Sequence, residues 1–333
     1  MFKTPITDLD YELDASSIAQ NRYKNPEYSN LLIAESKQIL TFSEYIDGLK
    51  DKSVFVFNKS TVQNVRINTN KVLTNGKIEF FILNIHDNYH ADCLIKTRSK
   101  INVGDELNTK IGLVTVLEKH TNFYTLKFKK NVYSLMEDYG QVPLPPYIED
   151  NSSKYSDYLN EFSEGGFSVA ASTAGLHFTN TMIDKLKKLG HEVFFINLDI
   201  NLGTFKSIDT KIVEDYEIHS ENYSVDKEDY ERILFLKSNG FKIILVGTTV
   251  LRSLETVFNT GVYSGKTNLF ITPSYKINIG DYLITNFHAP RSSLLSIIQA
   301  IYGAEWKDLY IFAQKMNLKF LSFGDAVLFK INE

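Results

Sequence analysis

The chain has 333 residues, of which 43% are hydrophobic and 13% aromatic, with a formal net charge of -4, so it is neither disordered nor fibrous. Its single cysteine, Cys93, excludes an intramolecular disulfide and a cysteine-rich zinc site. Because its N-terminal residues lack a signal-peptide pattern and no run approaches the roughly 20 apolar residues of a membrane helix, we expect a cytoplasmic protein with no membrane partner.

The first predicted elements are short strands between residues 53 and 130. Six β-branched or aromatic runs, among them "SVFVF", "KIEFFILNI" and "HADCLIK", are separated by turn signals such as "TNGK". They predict a small antiparallel β-barrel, which we place at residues 59–148. This segment has 12 lysines and arginines against 8 aspartates and glutamates, a formal charge of +4. The excess favours contact with nucleic-acid phosphates, although chance variation on a solvated surface explains it equally well.

A proline-rich connector, "GQVPLPPYIED", ends the strand-rich segment. Beyond it, predicted strands such as "FSVAAS", "EVFFINLDI", "FKIILV" and "DYLIT" alternate with predicted helices such as "TVLRSLETVF" and "SSLLSIIQAIY". The alternation predicts an α/β fold, with a mostly parallel sheet and flanking helices. This predicted α/β segment covers residues 149–333.

Three polar loops follow predicted strands, where the ligand crevice of an open α/β sheet lies. "STAGLHFT" contains His177, "TNFHAPRSS" contains His288 and Arg291, and "GTTVLR" contains Arg252 at the start of a helix. Histidine suits proton transfer near neutrality, and arginine suits binding of a carboxylate or phosphate. Packing or capping is the ordinary role of a single loop histidine, so the clustering of several is what indicates a site.

Two further patterns extend this predicted site. The helix start at Gly247, Thr248 and Thr249 offers backbone N–H groups to an anion, although plain threonine capping explains it as well. His219 and Glu221 in "EIHSENYSV" fall on one side of an extended segment. The sequence lacks any convincing metal-ligand spacing, and we predict no metal site.

Seven motifs together resemble the S-adenosylmethionine:tRNA ribosyltransferase-isomerase family of queuosine biosynthesis. Their order and spacing match across nearly the whole chain: "SVAASTAGLHFT", "GTF", "HSENYSV", "VGTTVLRSLE", "TNLFITPSY", "TNFHAPRSSLL" and "FLSFGDAVL". The resemblance implies transfer and isomerisation of the ribosyl group of S-adenosylmethionine onto 7-aminomethyl-7-deazaguanine at the tRNA wobble position. The expected products are epoxyqueuosine-tRNA, adenine and methionine.

The resemblance also implies the domain organisation, partners and residue roles. A β-barrel domain at residues 59–148 is expected to be inserted into an α/β catalytic domain formed by residues 1–58 and 149–333. The anticodon arm of tRNA and S-adenosylmethionine are the expected partners, with no cofactor besides this co-substrate, and we expect a monomer. Proton transfer is expected from His177, His288, His219 and Glu221. Substrate binding is expected from Gly175, Gly247, Thr248, Thr249, Arg252, Arg291 and Tyr147, the last by stacking on a base.

Several positions differ from the usual family motifs, which keeps two other hypotheses open. The differing residues include Thr61, Gln141, Ser172, Asp199 and Asn201. One alternative is a non-catalytic or substrate-altered RNA-binding paralogue, and the other is a transferase that uses a different acceptor. Adenine release that depends on the modified tRNA distinguishes the ribosyltransferase-isomerase from the paralogue and from the transferase with a different acceptor.

Overall fold

The structure, a computed structural model, describes residues 3–149, 155–201, 203 and 206–331. The chain divides into two compact units, one formed by Met1–Thr61 with Pro145–Glu333 and the other by Val62–Leu144. The second unit lies inside the segment 59–148 in which the sequence predicts an inserted domain. None of the helices in the described residues combines the length and apolar character needed to cross a membrane.

The larger unit is built on a mixed β-sheet. Among its described residues, nine strands form this sheet in the order β14-β12-β11-β3-β13-β15-β16-β1-β2. These strands are β1 (Asn30–Ile33), β2 (Ile39–Thr41), β3 (Ser53–Asn58), β11 (Glu192–Leu198), β12 (Glu221–Ser224), β13 (Lys242–Val246), β14 (Ser264–Thr267), β15 (Tyr282–Asn286) and β16 (Ala326–Lys330). Its helices include α1 (Phe42–Asp47), α3 (Asn180–Lys188), α4 (Lys227–Ser238), α5 (Thr248–Thr260), α6 (Ser293–Tyr302) and α7 (Trp306–Lys315).

The direction of the strands corrects the prediction of a mostly parallel sheet. The central strands β11, β3, β13 and β15 are parallel, and β1 is parallel to β16. The outer pairings are antiparallel, and so is the pairing of β15 with β16. Because β16 runs against its neighbour, the loop that precedes it reaches the same edge as the carboxyl ends of the central strands.

Helices cover both faces of the central strands. Phe55 and Phe57 of β3 pack in a buried cluster with residues of α1 and α3. Val54 and Val56 point to the opposite face and are buried as well, where α5 contacts β3 and β13. A strand buried on both faces explains why the run "SVFVF" is continuously apolar.

The second unit contains a curled antiparallel sheet. Its strands are ordered β10-β4-β5-β6-β9-β8-β7. Their bounds, with that of the helix, are β4 (Arg66–Asn70), β5 (Lys77–Ile85), β6 (His90–Thr97), β7 (Glu106–Thr109), β8 (Gly112–Lys119), β9 (Tyr124–Phe128), α2 (Val132–Tyr139) and β10 (Gly140–Gln141). The chain just after β4 returns to β7, since the N–H of Val72 donates to the carbonyl of Asn108 at 2.9 Å. The sheet therefore curls on itself.

Two predicted strands have other roles in the structure. "SVFVF", counted among the barrel strands, is β3 at the centre of the large sheet. "FSVAAS" does not form a strand of that sheet, and instead the N–H of Val169 donates to the carbonyl of Ile200 at 2.8 Å. The "STAGLH" loop then forms the short 3-10 helix Thr173–His177.

Candidate active site

A cleft of about 140 Å³ lies beyond the carboxyl ends of β13 and β15. The two strands are parallel, so the loops that follow them leave the same edge of the sheet. The loop before β16 supplies Leu321 and Ser322 to the same cleft. Other residues that line it are Tyr147, Tyr158, Ser172, Thr173, Lys206, Gly247, Thr248, Thr249, Thr285, Asn286, His288 and Ser292.

The beginning of α5 forms one wall of this cleft. Gly247 precedes the helix with φ 100° and ψ 149°, a conformation that residues with a side chain rarely adopt. Thr248 and Thr249 follow in the first turn, where N–H groups expose the positive end of the helix dipole. Because the N-cap is glycine and no side chain caps it, threonine capping does not account for the motif. This wall favours an anionic ligand group.

His288 is a buried member of the cleft lining. Its Nε2 lies 3.1 Å from Thr285 Oγ1, and its backbone N–H donates to the Tyr310 hydroxyl at 3.2 Å. Its carbonyl accepts a hydrogen bond from the Tyr11 hydroxyl at 2.6 Å. Burial lowers the pKa of His288 to about 3, so the imidazole is neutral near pH 7. A neutral ring in the cleft is able to accept a proton from a ligand.

His177 does not line this cleft, and its surroundings are those of a packed residue. Its ring stacks on Phe42 with 4.6 Å between ring centroids. Asn286 Nδ2 donates to its Nε2 at 3.3 Å, and its Nδ1 lies 2.7 Å from Ser29 Oγ. Burial and the neighbouring charge of Arg22 lower the pKa of His177 to about 3. Since both ring nitrogens are bonded, the geometry favours a role in holding Asn286, which does line the cleft.

A second cavity adjoins the cleft. Thr248, Thr249 and Leu294 line both spaces. His219 and Arg252 line the second cavity only. The "HSENYSV" and "VGTTVLRSLE" motifs, which lie far apart in the sequence, therefore meet here.

Glu221 connects the two basic side chains of this cavity. Its Oε1 accepts hydrogen bonds from His219 Nε2 at 3.0 Å and from the Asn201 N–H at 2.9 Å, and its Oε2 pairs with Arg252 Nη1. Burial acts to raise the pKa of Glu221, but the His219 hydrogen bond and the Arg252 charge outweigh it and leave the pKa lowered. Glu221 is therefore a carboxylate near pH 7. Among the described residues, His219 Nδ1 and Arg252 Nη2 are buried without a hydrogen-bond partner.

Tyr147 and Gly175, two other predicted site residues, differ from each other in their surroundings. Tyr147 lines the cleft, with its hydroxyl 2.7 Å from Ser322 Oγ, and burial raises the pKa of Tyr147 to about 12. Gly175 is a packing residue, because a Cβ at this position would lie 2.9 Å from Asn160 Nδ2.

Arg291, by contrast, lines neither cavity. Its half-exposed side chain pairs with Asp10, with Arg291 Nη2 2.6 Å from Asp10 Oδ2. Its predicted role in substrate binding stays a prediction.

Some residues that line the cleft were not predicted from the sequence. Lys206, an exposed cation, comes directly after the "GTF" motif, whose Thr204 and Phe205 lie outside the described residues. Asn286 and Ser322 belong to motifs that the sequence singled out, but nothing local marks them as lining residues. Gly203 of "GTF" lies against the His219 ring, where a Cβ would collide with the imidazole.

The donors around the cleft suit a polar organic ligand. They are mainly hydroxyl, amide and backbone groups, with the neutral His288 among them. Within the part of the chain that the structure describes, no group of three histidine, cysteine, aspartate or glutamate residues is arranged to hold a metal ion.

The positions that differ from the family motifs are mostly engaged in local structure. Asp199 Oδ1 accepts hydrogen bonds from Ser60 Oγ and the Phe167 N–H, both at 2.7 Å. The Thr61 N–H donates to the Gly165 carbonyl at 2.7 Å. In the second unit, Gln141 Oε1 accepts a hydrogen bond from Asn68. Of the differing residues, Ser172 lines the cleft.

Comparison with known proteins gives matches over almost the whole chain. A family model described as queuosine biosynthesis protein matches residues 6–329. An S-adenosylmethionine:tRNA ribosyltransferase-isomerase from Vesicomyosocius okutanii is 36% identical, with 98% of each chain covered. Proteins of the same name from Francisella philomiragia and Clostridium kluyveri are 34% and 33% identical, and the match covers 96% and 98% of this chain.

A solved structure also matches almost the whole chain. The crystal structure of an S-adenosylmethionine tRNA ribosyltransferase from Thermotoga maritima aligns with a TM-score of 0.54 and 29% identity. The alignment covers 96% of this chain and 99% of that one. With a matching family model and relatives above 30% identity along its full length, this chain belongs to the queuosine biosynthesis protein family.

Proposed function

We propose that this protein transfers and isomerises the ribosyl moiety of S-adenosylmethionine onto 7-aminomethyl-7-deazaguanine at the wobble position of a tRNA. The products are epoxyqueuosine-tRNA, adenine and methionine. One observation carries the proposal: motifs that are distant in sequence converge on the cleft and the adjoining cavity. Residues from six of the seven motifs line these two spaces, and Gly203 of the remaining motif packs against His219.

The cleft is the proposed site of the nucleoside part of S-adenosylmethionine. Tyr147 offers an aromatic ring for stacking on a base, and the wall at Thr248 and Thr249 offers N–H groups. Lys206 adds a positive charge that suits an RNA phosphate. These features support binding of a nucleoside and an RNA strand in one place.

His288 is the proposed proton-transfer residue. The positive sulfur of S-adenosylmethionine acidifies the adjacent ribose C–H, so a general base that removes this proton starts the rearrangement. The proton moves from carbon to a ring nitrogen of His288, and the electron pair stays on the carbon next to sulfur. Its place in the cleft lining, with Nε2 3.1 Å from Thr285 Oγ1, supports this role.

The Val62–Leu144 unit is the proposed tRNA-binding domain. Its curled antiparallel sheet is consistent with the inserted β-barrel domain expected from the sequence, and the larger unit with the catalytic domain. The excess of lysine and arginine in residues 59–148 supports contact with the anticodon arm.

Adenine release tests the function directly. Purified protein is given S-adenosylmethionine with tRNA that carries 7-aminomethyl-7-deazaguanine, and in parallel with the same tRNA lacking it. We expect adenine only with the modified tRNA, without any added cofactor. A folded protein that binds the modified tRNA but releases no adenine would overturn the proposal.

A further inference from the structure

Arg252 has one hydrogen-bonding group that the fold does not use. The side chain is buried, with 6% of its surface exposed. Its Nε donates to the Leu269 carbonyl at 3.1 Å, and Nη1 pairs with Glu221. Within the described residues Nη2 has no acceptor, although it is buried. A buried N–H of a guanidinium without an acceptor is unfavourable, so an acceptor supplied by a ligand is favoured here.

A second feature independently attracts an anion to the same cavity. Thr248 and Thr249, the first residues of α5, line it beside Arg252. Arg252 lies four residues after Thr248, on the same face of the helix. The unfilled N–H groups and the positive dipole end of α5 therefore act together with the guanidinium.

Glu221 does not use all the N–H groups of Arg252, so the guanidinium can pair with one more carboxylate. Glu221 is held by His219, Arg252 and the Asn201 N–H. The planar guanidinium presents separate N–H groups, so Nη1 can pair with Glu221 while Nη2 pairs with a ligand.

The size of the cavity decides which anion fits. Its volume is about 20 Å³, and Leu269, Ile271 and Ile297 form apolar walls. A space of this size admits one small polar group, such as a carboxylate, and excludes a nucleotide base or sugar. Thr248, Thr249 and Leu294 line both the cavity and the cleft. With the nucleoside of the proposed substrate in the cleft, the carboxylate at the far end of the same molecule is the group that reaches this cavity.

Building on the proposed function, we propose that this second cavity binds the methionine carboxylate of S-adenosylmethionine, with Arg252 as its anchor. Glu221 then serves binding, because it fixes the orientation of both basic side chains. The tail extends past Thr248 and Thr249, and the sulfonium lies between the two cavities.

The test compares two substrates that differ only in the carboxylate. The KM values of S-adenosylmethionine and decarboxylated S-adenosylmethionine are measured by adenine release, with saturating modified tRNA. We expect KM to be roughly 10- to 100-fold higher for the decarboxylated form, because a charged hydrogen bond is lost, with little change in kcat. In Arg252→Gln, the KM of S-adenosylmethionine should rise to the value of the decarboxylated form, and the discrimination should disappear.

Arg232→Gln is the matched control, since Arg232 is an exposed arginine paired with Glu192 and should keep full discrimination. Thermal melting shows whether Arg252→Gln folds, and if it does not, the wild-type comparison of the two substrates decides. Equal KM values for both substrates in the wild-type protein would overturn the carboxylate subsite while leaving the proposed function intact. Absence of adenine release with either substrate would overturn both.

Discussion

His177, His219 and His288 of the larger unit all belong to predicted polar segments, but their ring nitrogens have different contacts. His177 has partners on both nitrogens, and His288 faces the cleft with Nε2 beside Thr285. His219 donates from Nε2 to Glu221 and leaves Nδ1 unbonded among the described residues. The chemistry available to each side chain follows from these contacts rather than from the loop that carries it.

The lowered pKa values of His177 and His288 make the stability of the fold depend on pH. Each pKa is about 3 in the folded protein and about 6.5 in the unfolded chain. Between these values the unfolded chain binds more protons, so acidification favours unfolding, whereas above about pH 7.5 these histidines leave stability unchanged. We expect the free energy of unfolding to fall by about 1.4 kcal/mol per pH unit for each histidine between about pH 6 and pH 4.

Denaturant titrations at several pH values measure this slope. The fluorescence of Trp306, the only tryptophan, reports on unfolding because its side chain is buried in the larger unit. In His177→Gln, the change in the free energy of unfolding per pH unit should be smaller by about 1.4 kcal/mol, the contribution of one histidine. His120→Gln, a change in the other unit, should leave the slope unchanged. An unaltered slope in His177→Gln would contradict the lowered pKa.

His288→Gln should separate chemistry from binding. Loss of a general base typically lowers the rate about 10²- to 10⁴-fold, so kcat for adenine release should fall within this range. The KM of S-adenosylmethionine should change far less. His191→Gln is the control, because His191 is a buried histidine whose Nδ1 accepts a hydrogen bond from the Ser53 N–H outside the cleft lining. An unchanged kcat in His288→Gln would assign proton transfer to another group.

At the scale of elements, the two glycines that flank α5 have different tolerance for a side chain. Gly247 has φ 100° and ψ 149°, and its Cβ would lie 3.3 Å from Ser172 Oγ. Gly261 ends the helix in the left-handed region, with φ 68° and open space around its Cβ. Asparagine tolerates that region well. We expect Gly247→Asn to lower the free energy of unfolding by about 1–3 kcal/mol, and Gly261→Asn by less than about 0.5 kcal/mol.

Equilibrium unfolding of both variants measures this difference. Gly247→Asn should also reduce adenine release in its folded fraction, because the first turn of α5 forms a wall of the cleft. Equal stability of the two variants would show that the backbone at Gly247 is less constrained than its φ value indicates.

Elements with strong local patterns were predictable from the sequence. Helix α5 and strands β13 and β15 fall where periodicity and turn signals predict them, and so do the loops that form the cleft. The continuously apolar "SVFVF" could have been recognised as a fully buried strand of the large sheet, since barrel strands alternate. The pairing of β1 with β16 was beyond local reasoning because it joins opposite ends of the chain. The packing of His177 on Phe42 is a tertiary contact of the same kind.

At the scale of the whole molecule, charge is divided unevenly along the chain. Residues 59–148 carry +4 and the remainder carries -8. Along β9 and the residue after it, the exposed Lys127 and Lys129 alternate with the buried Leu126 and Phe128, so both lysines are on the solvent side of the sheet. The chain thus presents cations on the smaller unit although its total charge is negative.

This division predicts that Lys127→Gln with Lys129→Gln weakens tRNA binding and its dependence on salt. Each lost phosphate contact lowers the slope of log K against log salt by about 0.7–0.9. We therefore expect the slope to become shallower by about 1–2 in fluorescence anisotropy titrations at several KCl concentrations, while the KM of S-adenosylmethionine stays unchanged. Lys187→Gln with Lys188→Gln removes two exposed lysines from the larger unit and should leave the slope unaltered. Equal slopes in both double variants would show that Lys127 and Lys129 of the curled sheet do not contact the tRNA backbone, because counterion release depends on which cations meet phosphates rather than on net charge.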